Sequence, residues 1–122
     1  MKILIVDSSP YVSLLIKNVL LDMGYSDCNI NHSGNDTINT LKNGEYTCLI
    51  YNVDSVSTSV IDLLDTLRSD MALNNLYVVI IKEIFGAALI EKIEELPYNT
   101  WLSKPFTPRI LRLTLENLFN SK

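Results

Sequence analysis

Short polar clusters follow several apolar runs of this chain, and they contain groups able to do chemistry. The clusters offer carboxylates, an amide, hydroxyls and lysines: Asp7-Ser8, Asn52-Val53-Asp54, Lys82-Glu83 and Ser103-Lys104. If they meet, Asp7 faces Lys82 and Lys104, which leaves a net charge of +1, or zero when Asp54 turns inward. Such a field does not recruit a divalent cation. It suits an anion better, although no glycine-rich loop accompanies it.

The elements that must position these clusters alternate regularly along the chain. We predict strands over residues 2–6, 28–31, 47–53, 76–81 and 100–102, and helices over 10–23, 35–42, 60–69, 85–96 and 108–120. Pro10 suits the first turn of a helix, with Ser8 or Ser9 as its cap. Pro108 marks the start of the last helix in the same way, and Gly24 can end the first.

The alternation predicts an α/β fold with a parallel sheet that is covered by helices on both faces. The strands are continuous apolar runs, as such burial requires, and short connections imply right-handed crossovers. In these sheets the functional crevice lies at the carboxyl ends of the strands. The polar clusters should therefore meet at that edge.

Composition restricts the class of protein further. The 122 residues are 48% hydrophobic and 20% charged, which suits one folded domain with a real core. A net charge of −4 argues against nucleic acid or an anionic membrane as the main partner. No segment predicts a membrane span or a signal peptide. Cys28 and Cys48 lie in apolar stretches, so we expect buried thiols rather than a disulfide.

Three segments resemble the response-regulator receiver domains. They are the opening strand with its carboxylate (residues 2–7), residues 61–68, and the turn Leu102-Ser103-Lys104-Pro105-Phe106, which matches the family's K-P-F turn. The resemblance covers residues 1–122 as a single receiver domain. It implies the flavodoxin-like, doubly wound (βα)5 fold, a three-layer sandwich around five parallel strands in the order 2-1-3-4-5. It also implies a cytoplasmic role in two-component or phosphorelay signalling, with a histidine kinase or an output protein as partner.

The resemblance also identifies the positions of a phosphorylation pocket. A working receiver has two adjacent acids after the first strand, an acceptor aspartate after the third, Thr or Ser after the fourth, and a lysine after the fifth. The acids hold Mg²⁺ and the acceptor carboxylate is the nucleophile. This chain keeps Asp7 and Lys104. The other positions hold Ser8, Asn52 and Lys82, which implies a degenerate pocket.

We therefore predict a pseudo-receiver: a phosphorylation-independent protein–protein interaction module that is not an enzyme. It should need no cofactor and bind no metal at the vestigial Asp7. The alternative is an active single-domain response regulator that accepts a phosphoryl group from a histidine kinase on a nearby carboxylate such as Asp54, with Mg²⁺.

Two polar side chains near the predicted pocket have more than one interpretation. Lys82 either pairs with Asp7 in the place of the missing metal or extends into solvent. Asp54 is either a solvated loop carboxylate or a partner of Lys82. His32, the only histidine, is expected to face solvent in a loop.

The resemblance also indicates an interaction surface. Trp101 occupies the family's aromatic switch position, and Leu113 lies opposite the core stripe of the last helix, which comprises Leu111, Leu115 and Leu118. Phe85 and Ile90 belong to an unusually apolar fourth helix. In receivers this face docks partners or forms homodimers, so we expect a partner or a weak dimer there. A competing patch contains Leu14 and Leu21, which lie off the predicted core stripe of the first helix, namely Val12, Leu15, Val19 and Met23.

Overall fold

Strands and helices alternate along the chain in the computed structural model, which describes residues 1–52 and 60–120. The strands are β1 (Lys2–Asp7), β2 (Asp27–Asn31), β3 (Cys48–Asn52), β4 (Tyr77–Lys82) and β5 (Asn99–Ser103). The helices are α1 (Pro10–Asp22), α2 (Thr37–Gly44), α3 (Val60–Ser69), α4 (Ala87–Glu94) and α5 (Pro108–Phe119). The predicted order of elements is confirmed, and each boundary lies within two residues of its predicted place.

The sheet is parallel, with its strands in the order β2-β1-β3-β4-β5. Alternate residues of β1, β3, β4 and β5 point into two separate apolar cores, one on either face, while β2 contributes Cys28 and Ile30 to one of them. In β1, for example, Ile3 and Ile5 face the core that contains Ile16 of α1 and Leu115 of α5. This double burial explains why the strands are continuous apolar runs, and it confirms the flavodoxin-like three-layer fold.

The buried face of α1 differs from the predicted one. Ile16 and Leu20 have no exposed surface, whereas Val12 and Leu15 are only partly buried. The helix is apolar on most sides, so two neighbouring stripes fit the same pattern. Ser13 can be buried within the true stripe because its hydroxyl donates to the Pro10 carbonyl at 3.1 Å. The core face is therefore rotated by about one residue, while Val19 is buried as predicted.

The ends of the helices follow local capping chemistry. The Ser9 hydroxyl accepts from the Val12 amide at 3.4 Å, which confirms Ser9 rather than Ser8 as the cap of α1. Gly24 adopts φ +94° after this helix, as a terminating glycine should. Gly86 caps α4, so Phe85 precedes the helix instead of opening it. That placement corrects the predicted start of the fourth helix.

The two cysteines are buried and free, as predicted. Both lie opposite Ile3 of β1, one on β2 and the other on β3, so an intervening strand separates them. Burial raises the pKa of both thiols, most strongly that of Cys48. Within the described residues, no helix is both long and apolar enough to cross a bilayer.

Arg68 joins three segments of the chain near the amino ends of strands β4 and β5. Its guanidinium donates to the carbonyls of Asn74 at 3.0 Å and Leu76 at 2.9 Å, and also to the Asn99 side-chain oxygen. These contacts join the end of α3 to the loop before β4 and to the start of β5. Partial burial lowers the pKa of the Arg68 guanidinium.

Candidate functional site

The register of the sheet brings Asp7 and Asn52 side by side at the carboxyl edge. They are direct partners at the ends of the paired strands β1 and β3. The Asn52 Nδ2 amide donates to Asp7 Oδ2 at 2.7 Å. Asp7 has no exposed surface and Asn52 is 2% exposed, so this contact is shielded from water. The two central positions of the predicted pocket are thus bonded to each other.

The remaining polar atoms of Asp7 are also engaged. The Ser9 backbone N–H donates to Asp7 Oδ1 at 2.7 Å, so each carboxylate oxygen already accepts a hydrogen bond. The His32 Nδ1–H donates to the Asp7 carbonyl at 3.0 Å. The His32 side chain is exposed, as predicted, but this contact also ties its loop to the end of β1. Sequence reasoning missed that contact, since nothing in the loop's composition indicates it.

The orientation of the Asn52 amide follows from the Asp7 carboxylate. A reversed amide would place Oδ1 against a carboxylate oxygen, with an acceptor facing an acceptor. Asp7 therefore holds Nδ2 toward itself and turns Oδ1 away. In the described structure, this buried Oδ1 has no hydrogen-bond partner.

The two lysines of the predicted pocket lie on adjacent backbone segments. Ser103 is the register partner of Lys82, and the Lys104 N–H donates to the Lys82 carbonyl at 2.8 Å. The predicted ion pair between Lys82 and Asp7 is not formed in the part of the chain that the structure describes. The amides of Asn52 and Ser9 bind the carboxylate oxygens instead. Of the two interpretations of Lys82, the structure therefore contradicts the pairing with Asp7.

Two further positions of the predicted pocket are Ser8 and Asp54. Ser8 is exposed at the rim of the crevice. Asp54 lies outside the described residues, so the interpretation of this carboxylate remains a prediction.

The donor set does not fit the Mg²⁺ that working receivers hold. Mg²⁺ prefers carboxylate oxygens in near-octahedral geometry. Asp7 supplies the carboxylate of the described pocket, and both of its oxygens already accept hydrogen bonds. Across residues 1–52 and 60–120, no group of three His, Cys, Asp or Glu side chains is placed to hold a metal.

An aromatic pair joins the edge strand β5 to the loop before α4. Trp101 of β5 packs against Phe85 in the loop before α4, with ring centroids 4.8 Å apart and planes tilted by 49°. Both helices α4 and α5 pack against β5. On α5, Leu113 is 44% exposed, whereas Ile90 of α4 is half-buried. The predicted exposure of Leu113 is thus confirmed.

A groove on the other side of the pocket was missed from the sequence. It has a volume of about 550 Å³. Its walls are mainly apolar and include one charge of each sign; they comprise Val12, Leu15, Pro105, Phe106, Glu83 and Lys104. The K-P-F turn carries Lys104 of the predicted pocket, and the same turn also places Phe106 in this groove.

Known proteins resemble the chain over nearly its full length. Chemotaxis protein CheY1 of Helicobacter pylori is 30% identical over 117 residues, which cover 95% of this chain and 94% of that protein. The chain belongs to the CheY-like receiver domains of response regulators. Chemotaxis protein CheY of Pseudomonas aeruginosa is 29% identical over 119 residues, covering 98% and 96%. No family model matches the chain.

The fold of this receiver domain agrees with solved structures. The chemotaxis response regulator CheY4 of Vibrio cholerae superposes with a TM-score of 0.80 at 19% identity, covering 96% of this chain and 97% of that one. This receiver therefore shares the family's fold, and the degenerate pocket at Ser8, Asn52 and Lys82 stays a prediction from the resemblance.

Proposed function

We propose that this receiver works without phosphorylation, as a protein-interaction module of a cytoplasmic two-component or phosphorelay pathway. It is not an enzyme, and it holds no Mg²⁺. The observation that carries the proposal is the 2.7 Å hydrogen bond from the Asn52 amide to Asp7. The acceptor position is filled by a neutral group that is already bonded to the remaining acid.

The chemistry of the pocket supports this proposal. Phosphoryl transfer to a receiver requires an anionic oxygen at the acceptor position, and an amide has none. Transfer also requires positive charge beside the incoming phosphoryl oxygens that a metal normally supplies. Lys82 and Lys104 supply positive charge without a metal site, and they cannot replace the missing nucleophile.

The partner surface in this proposal is the face formed by α4, β5 and α5. It includes the exposed Leu113 on α5, a helix that packs against the strand bearing Trp101, and the Phe85–Trp101 contact holds the loop before α4. A histidine kinase or an output protein would dock there. The weak homodimer through this face, predicted from the sequence, stays a prediction that Leu113→Glu tests.

Mass spectrometry tests the loss of phosphoryl transfer. We expect no added phosphoryl mass on the intact protein after incubation with acetyl phosphate and Mg²⁺. The single variant Asn52→Asp should also stay unmodified, because Ser8 supplies no carboxylate for a metal and the Lys82 ammonium adds positive charge to the pocket. The triple variant Ser8→Asp, Asn52→Asp, Lys82→Thr is the positive control and should accept the phosphoryl group.

A phosphorylated wild-type protein would contradict the proposal. In that event Asp54→Asn identifies the acceptor: loss of the added mass in this variant would establish the alternative of an active response regulator. A single Asn52→Asp change that restores phosphorylation would show that the charge argument about Ser8 and Lys82 is wrong.

A further inference from the structure

The outer face of α1 carries an apolar seam that the proposed function does not use. Tyr11, Leu14 and Leu21 are 88%, 55% and 45% exposed, and Asn18 is exposed between them. The buried face of the same helix contains Ser13, Ile16 and Leu20. At 100° per residue, the four exposed positions point directly away from that buried face.

The spacing of the seam is that of a coiled coil. Positions 11, 14, 18 and 21 are separated by three, four and three residues, which is the a-d-a-d pattern of the heptad repeat. In this frame Tyr11 and Asn18 occupy a positions, and Leu14 and Leu21 occupy d positions. A single asparagine at an a position is a known device that fixes register and favours dimers.

The charged residues beside the seam indicate which helix could pack against it. In the same frame Lys17 is a g residue and Asp22 is the e residue five positions later. Parallel two-stranded coiled coils pair g of one helix with the following e of the other. Within the described residues of its own chain, neither side chain forms an ion pair. A second α1 in parallel would therefore form two Lys17–Asp22 pairs across the two-fold axis.

We propose that the exposed face of α1 is a self-association surface on which two copies of this chain pack their α1 helices in parallel. The partner is a second copy because the same helix supplies the apolar seam, the central Asn18 and both members of the charge pair. Isolated helices of this length rarely pair, since they must first fold. Here α1 is already folded, because its buried face packs on the core of the domain. The seam can therefore associate without the free-energy cost of forming the helix. A seam of four residues is short, and we expect a weak dimer.

Sedimentation equilibrium up to about 1 mM protein measures the association. The wild-type protein should form dimers. Leu14→Glu should raise the dimer dissociation constant at least about tenfold, because it places a charge in an apolar seam. Leu113→Glu, on α5, tests the rival dimer through the α4–β5–α5 face. Met71→Glu, at an exposed apolar residue in the loop before β4, is the control and should leave the dissociation constant unchanged.

Two further variants test the arrangement of the helices. Asn18→Ile should tighten the dimer about tenfold, since a β-branched residue at an a position favours two strands. That gain of association cannot result from failure to fold. Lys17→Glu alone should weaken the dimer about threefold to tenfold, and adding Asp22→Lys should restore it.

Disulfide trapping provides an independent readout of the parallel arrangement. Asn18→Cys should form a covalent dimer under mild oxidation, because a positions face each other across a parallel pair. Asn117→Cys, on an exposed site of α5, should not. The native Cys28 and Cys48 are buried and leave the background low.

The proposal is overturned by a wild-type protein that stays monomeric at about 1 mM. It is equally overturned if Leu14→Glu dimerises like the wild type, or if Leu113→Glu abolishes the dimer. Failure of the Lys17→Glu, Asp22→Lys double variant to recover association would exclude the parallel pairing.

Discussion

The pocket of this receiver is governed by one hydrogen bond between a buried carboxylate and a neutral amide. The Asn52 amide and the Ser9 backbone N–H each satisfy one oxygen of Asp7 at 2.7 Å. A buried charge is tolerated when its hydrogen-bonding capacity is met. The identity of Asn52 therefore matters for stability as well as for chemistry.

Replacing that amide with a carboxylate should destabilise the protein. We expect Asn52→Asp to lower the free energy of unfolding at pH 7 by about 1–3 kcal/mol, since it sets two buried acids in contact. Urea denaturation at several pH values measures the effect.

The pH dependence of the same variant has a definite sign. The paired acids bind a proton more readily in the folded chain than in the unfolded chain. The destabilisation of Asn52→Asp relative to the wild type should therefore become smaller as the pH falls toward about 5. Asn29→Asp, at an exposed site on β2, is the control, and its free energy of unfolding should stay close to that of the wild type at every pH. An Asn52→Asp protein as stable as the wild type at pH 7 would mean that the pocket is open to water or that the lysines compensate.

At the scale of elements, Arg68 joins the end of α3 to the loop before β4 and to the start of β5. Its planar guanidinium reaches two backbone carbonyls and the Asn99 side chain together. Arg68→Lys should lower the free energy of unfolding by about 1–3 kcal/mol, because a compact ammonium group cannot donate to all three acceptors at once.

Arg112→Lys is the matched control for that prediction. Arg112 forms an exposed pair with Glu116 at 2.9 Å, and its replacement should cost less than about 0.5 kcal/mol. Both variants can be compared by urea denaturation at neutral pH. Equal costs for the two substitutions would show that the contacts of Arg68 are no more important than a surface pair.

The elements were predictable because their signals are local. Pro10, Pro108 and Gly24 mark helix ends in the sequence, and apolar runs mark the strands. The buried face of α1 was not predictable, since Leu15 and Ile16 are equally apolar and only packing decides between them. The pocket shows the same limit. Strand ends place Asp7 near both Asn52 and Lys82, but the choice between an amide and an ammonium as partner depends on side-chain geometry that spacing does not encode.

Across the whole molecule, the pocket and the α4–β5–α5 face are connected by the edge strand. Trp101 lies on β5, three residues before Lys104, and contacts Phe85. Its fluorescence should therefore report events in the pocket. We expect a Mg²⁺ titration through the millimolar range to leave the emission of the wild-type protein unchanged.

The triple variant with restored acids should respond to the same titration with a saturable change in Trp101 emission. A saturable response of the wild-type protein would instead reveal a metal site that the described residues do not supply. Trp101 is the single tryptophan of the chain, so either signal is assigned without ambiguity.

The bond between Asn52 and Asp7 also bears on how such a pocket can evolve. A lineage that regained the acceptor aspartate first would pass through a less stable protein that still lacks a metal site and gains no activity. Each of the three altered positions is useful only once the others have changed. Under the proposed function, a return to phosphoryl transfer would need several changes at once, so selection would refine the surfaces of this receiver more readily than it would restore that chemistry.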